Sequence, residues 1–130
     1  MALHKAYKAY GKQNYKGMPS YELVLKMYER INSLLEESQR LYLELEFEEG
    51  IKKLYKAQKI IVNLQQTVDK SILLGKKLNS IYGFIRLRLN TAITLQRRSI
   101  IIEIIPLMTE IEETWRYGIR TFKERGCEDE

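Results

Sequence analysis

Mostly apolar residues return at alternating three- and four-residue steps along four stretches of this chain. The first reads Val24, Met27, Ile31, Leu34, Ser38, Leu41, Leu45, and the second Ile51, Leu54, Gln58, Ile61, Leu64, Val68. The third reads Leu74, Leu78, Ile81, Ile85, Leu89, Ala92, and the fourth Ile101, Ile104, Met108, Ile111, Trp115, Gly118, Phe122. That spacing is the period of an α-helix; a strand needs period two, and no stretch holds it for long. Each stripe covers about three-sevenths of its helix, so each alone would leave an apolar face in water. Four such faces can bury one another, which predicts an all-α fold, an antiparallel up-down four-helix bundle.

Breakers and caps place the boundaries. Pro19 cannot continue a preceding helix, and the Ser20 hydroxyl can accept from an orphan N–H, with Glu22 favourably placed in the first turn. The first helix is expected to run to about Glu46, the second from about Phe47 to Asp69, the third over roughly 74–94 and the fourth over 98–124. The second turn is expected to hold Asp69, Lys70, Ser71 and Gly75. Gly83 is an interior weak spot worth ~1 kcal/mol relative to alanine, and its small size would admit a close neighbour. Pro106 deletes one helical hydrogen bond, and the continuous spacing around it favours a kink near Ile102 over a break. Gly126 is a plausible stop. The chain thus divides into a leader (1–18) able to form a short additional helix, a bundle domain (19–125) and an acidic tail (126–130).

Apolar residues exceed what one seam can hide. Leu73, Phe84, Leu87 and Leu95 fall on a second face of the third helix, and Ile100, Ile102 and Ile105 add to it from the fourth. Such a surplus suits either a homodimer interface or a groove that accepts helices from a partner.

Charge is unevenly spread beneath a net +5. Residues 22–50 carry eight acidic and three basic side chains, whereas residues 70–99 carry seven basic and no acidic ones. The first and fourth helices are therefore acidic and the second and third basic, which in an up-down bundle gives two oppositely charged sides. The basic side, with Lys56, Lys59, Lys76, Lys77, Arg86 and Arg98 among its cations, leaves nucleic-acid binding as an alternative. It comes without a helix-turn-helix, a zinc-ligand pattern or stacking aromatics on a sheet, so nucleic acid is not the expected partner.

Little in the chain suits catalysis. The one histidine, His4, lies in the leader, and the one cysteine, Cys127, lies in the acidic tail and reads as a free surface thiol. No metal site, cofactor or enzymatic activity is expected. The longest apolar run, Ile100 to Ile102, is far below the ~18 residues of a membrane span, and the N-terminus has no apolar segment ahead of a cleavage site. The expectation is a soluble, cytoplasmic protein without membrane insertion.

The leader interleaves Tyr7, Tyr10 and Tyr15 with lysines, a pattern that can dock its aromatic side into an apolar groove while the charges stay wet. Five segments then occur in one order: Ala6-Tyr7-Lys8-Ala9-Tyr10, Pro19-Ser20-Tyr21-Glu22-Leu23-Val24-Leu25-Lys26-Met27-Tyr28-Glu29, Lys56-Ala57-Gln58-Lys59-Ile60-Ile61-Val62-Asn63-Leu64, Leu78-Asn79-Ser80-Ile81-Tyr82, and Trp115 late in the last helix. Together they resemble the flagellar secretion chaperones of the FliS family. The resemblance implies a cytoplasmic helical bundle that binds the C-terminal segment of newly made flagellin. It would stop premature polymerisation and present the subunit to the flagellar type III export gate. By the same resemblance Tyr7 and Tyr10 would cap the client site and contact the export apparatus, and Leu23, Tyr28, Leu78, Tyr82 and Phe84 would line the client groove. The single Gly75 where the family often has a glycine pair leaves room for a divergent paralogue with another export substrate.

Overall fold

Ser20 opens the first helix by the expected means: its hydroxyl accepts from the Leu23 N–H at 3.1 Å. The computed structural model describes residues 20–124, with side chains described through residue 121. Four helices follow: α1 (Tyr21–Leu43), α2 (Phe47–Thr67), α3 (Leu73–Leu95) and α4 (Arg98–Glu124). The leader with Tyr7 and Tyr10, Pro19, Gly126, Cys127 and the side chain of Phe122 lie outside what is described. Short connections make chain neighbours antiparallel, and α4 returns to pack on α1, so the helices close into a ring around one core.

The stripes point inward. Val24, Ile31, Leu34, Leu54, Ile61, Leu64, Ile85, Leu89, Ile101, Ile104 and Met108 are all buried, each worth roughly 1.5–3 kcal/mol relative to exposure. Ile100, expected in the surplus, belongs to this core as well. Leu45, expected as the last rung of the first stripe, does not: it is 75% exposed, with φ at 63°. α1 ends at Leu43 because the Glu46 N–H turns back to the Leu41 carbonyl at 2.8 Å and the Leu45 N–H to Tyr42 at 3.0 Å. This is the paired closure that puts one left-handed residue just past a helix.

The second turn also differs from expectation. Asp69 organises it by accepting from the Ser71 N–H at 2.9 Å and the Ser71 hydroxyl at 2.6 Å, and the Lys70 ammonium caps the end of α2 at the Gln65 carbonyl, 2.9 Å away. Gly75 is not in this turn. It sits buried in the first turn of α3, where an added Cβ would fall 1.7 Å from the Asp69 carbonyl oxygen. Gly50 is similarly confined, with the Tyr42 ring 2.6 Å from where its Cβ would be. Gly83, expected to admit a close neighbour, has none: a Cβ there would meet only Gln65 Nε2, at an ordinary 3.7 Å.

α4 runs unbroken through Pro106, so the fully broken alternative does not occur. The carbonyl that Pro106 leaves without its helical donor is that of Ile102, on the exposed side of the helix, where water can serve it.

Two tyrosines of α1 reach α3 across the ring. The Tyr28 and Tyr82 hydroxyls meet at 2.6 Å in the buried interior, and the Tyr42 hydroxyl donates to the Ala92 carbonyl at 3.0 Å. Trp115 stands edge-on to Tyr28, ring centroids 5.6 Å apart, and its indole N–H donates to the Tyr21 carbonyl at 2.7 Å. Burial pushes the Tyr42 phenol above its ordinary value of 10.0. The folded state thus favours the protonated phenol, so its contribution is full below the unfolded value and is lost as pH rises past it. Tyr42→Phe should cost ~1 kcal/mol at neutral pH, since the Ala92 carbonyl keeps its bond from the Gln96 N–H. In urea titrations the variant should also lose less stability than the parent between neutrality and about pH 10.5. Equal alkaline losses would refute this assignment.

Candidate partner-binding surface

α3 presents two faces. Its inner face supplies Tyr82, Ile85, Leu89 and Ala92 to the core, while its outer face carries Leu73 at 68% exposure, Phe84 at 50%, Leu87 at 66% and Leu95 at 52%. At ~100° per residue these four fall within roughly 80° of arc, and at 1.5 Å per residue they extend over ~33 Å. Ile102, also exposed, adds to the surplus from α4, and Ile105 is half-buried against the core. The result is an apolar strip in water, interrupted by Lys77, Ser80 and Thr91 on the same arc and densest around Phe84 and Leu87, the kind of surface that marks an interaction site on a small protein.

The structure separates the residues proposed from sequence. Phe84 lies on the strip. Tyr28 and Tyr82 are fully buried, and their joined hydroxyls tie α1 to α3 in the core. Leu78 is half-buried against the core. Leu23 is exposed on the first turn of α1, which stands across the ring from α3, so it shares no face with Phe84. Leu73, Leu87 and Leu95 complete the strip; their off-stripe positions were the legible signal for them, while motif matching passed them over.

Ring closure makes the acidic helices α1 and α4 neighbours and the basic helices α2 and α3 neighbours. Ion pairs link the two sides, Lys53 to Glu37 at 3.1 Å and Arg88 to Glu103 at 2.9 Å, while Arg116 to Glu29 at 3.1 Å joins the two acidic helices. The hydrogen bond from Lys53 holds the Glu37 carboxyl below its ordinary range. At such exposure each pair is worth ~0–1 kcal/mol, so the pairs contribute more to register than to stability. Among the described residues no group of three His, Cys, Asp or Glu side chains could hold a metal ion, and no helix is long and apolar enough to cross a membrane.

A family model described as flagellar protein FliS matches residues 3–121, almost the whole chain. The chain belongs to the FliS family. No curated protein matches it. FliS proteins are flagellar chaperones that act by binding other flagellar proteins, and the family is not known for enzymatic activity.

Proposed function

We propose that this FliS protein is a cytoplasmic chaperone that binds the C-terminal segment of flagellin and delivers it to the flagellar type III export gate. The observation that carries this reading is the apolar strip of Leu73, Phe84, Leu87 and Leu95, left in water on a helix whose other face is already committed to the core. A subunit that polymerises through amphipathic terminal segments will pair prematurely unless those faces are buried first. A helical chaperone with a ~33 Å apolar strip can take such a segment by side chains recurring every three, four or seven residues. The client orders as it binds, so part of the contact energy is offset, and moderate affinity over a broad area suits a complex that must be released. Tyr7 and Tyr10 are proposed to cover the client site when it is empty and to contact the export apparatus.

Calorimetry with a C-terminal flagellin peptide should give one-to-one binding with a negative heat-capacity change, the mark of apolar burial. Sedimentation over the same concentrations should show a monomer. Absence of heat, or a stable dimer whose dissociation is required for peptide uptake, would contradict an open client surface.

A further inference from the structure

We propose that the outer face shared by α2 and α3 is a second docking site, built for an acidic peptide segment with one aliphatic or aromatic side chain between its carboxylates. A depression of about 390 Å³ opens there, lined by Tyr55, Lys56, Gln58, Lys59, Val62 and Arg86. Its lining brings the half-buried Val62, the exposed Tyr55 ring and the lysine stems together with the cationic groups of Lys56, Lys59 and Arg86.

Those cations lack internal counter-charges. Lys53, Arg88 and Arg116 are each matched by a carboxylate on a neighbouring helix, yet among the described residues Lys56, Lys59 and Arg86 make no ion pair. Over residues 51–99 the only acid is Asp69, which is engaged with Ser71 in the turn. A face of one sign with nothing to neutralise it draws an oppositely charged ligand and orients it on approach.

The walls are tied together. The Gln58 amide donates to Asn90 Oδ1 at 2.7 Å and to the Arg86 carbonyl at 3.3 Å, and Arg86 Nη1 donates to Gln65 Oε1 at 3.3 Å. The guanidinium is therefore positioned by α2 while keeping further N–H donors for a carboxylate.

An acidic peptide fits this face better than a nucleic acid does. The lining sets its cations beside apolar side chains, and a phosphodiester makes no use of Val62. The site offers charge beside a few apolar side chains, whereas the Phe84 and Leu87 strip offers apolar area.

The test is fluorescence anisotropy with a labelled nonapeptide of aspartates and glutamates around one central leucine, which contains no flagellin sequence and so tests this site apart from the client reading. The protein should bind it about tenfold more tightly than the same peptide with glycine at the centre. Lys56→Glu with Lys59→Glu should lower affinity by about tenfold or more, and Lys56→Gln with Lys59→Gln by about threefold or more. Lys26→Glu with Arg40→Glu, an equal change in net charge on α1, should stay within about threefold of the parent. Lys26, Arg40, Lys56 and Lys59 are all exposed, so circular dichroism should report unchanged folding of the charge variants. Failure of the acidic peptide to bind, equal loss in the α1 control, or indifference to the central leucine would overturn the proposal. So would tighter binding of a random DNA duplex through the same two lysines.

Discussion

Gly75→Ala should destabilise the protein by ~3 kcal/mol or more, although alanine is the better helix former and Gly75 lies within α3. The new Cβ would fall 1.7 Å from the Asp69 carbonyl oxygen and 2.7 Å from the carbonyl carbon. Both atoms are backbone, so no side chain can swing aside; either the turn at 68–72 opens or the start of α3 moves off Asp69. Opening the turn disturbs the bonds from Asp69 to Ser71 that shape it. For a domain whose whole stability is ~5–15 kcal/mol this is a large fraction, and the melting temperature should fall by on the order of 10 °C. The control is the same substitution eight residues later in the same helix. Gly83→Ala meets only Gln65 Nε2 at 3.7 Å, so its helix-propensity gain should survive as ~0.5–1 kcal/mol of added stability. Urea unfolding of the two variants should move in opposite directions from the parent. A Gly75→Ala protein as stable as the parent would mean that the Asp69 turn is not held as described.

The second large effect concerns the client surface. Phe84→Glu combined with Leu87→Glu should weaken binding of the C-terminal flagellin peptide about thirtyfold or more, the ~2 kcal/mol that a single hot-spot side chain carries. Both positions are at least half exposed, and glutamate is a good helix former, so stability should stay within about 1 kcal/mol of the parent. That separation gives the experiment its force: affinity falls while the bundle stands. Tyr82→Phe makes the opposite comparison. Tyr82 is buried and joined to Tyr28, so its change should register in stability rather than in direct client contact. Unchanged affinity in the Phe84 and Leu87 variant would remove the strip from the proposed function.

Much of the architecture was legible because burial in a helical bundle is periodic. Val24, Ile31, Leu54, Ile61, Ile85 and Met108 were marked for the core by spacing alone, and all are buried. Ser20 announced the start of α1 through a local bond that needs only neighbours in sequence. The surplus on α3 was equally legible, since Leu73, Phe84, Leu87 and Leu95 break the stripe that the same helix keeps elsewhere. The site was less so. Tyr28 and Tyr82 entered as groove candidates through the motifs of the family resemblance, which carry no information on burial. Only when α1 and α3 stand across the ring can the two hydroxyls meet at 2.6 Å and satisfy each other inside.

By itself, then, the sequence determined the helical class, the number of helices, their approximate limits, the apolar excess and the family, because each depends on local chemistry or on a repeat of three to four residues. Tertiary structure alone decided which tyrosines are core and why Gly75 and not Gly83 must remain glycine. Those outcomes depend on the distance between groups far apart in the chain, and no periodicity encodes that distance.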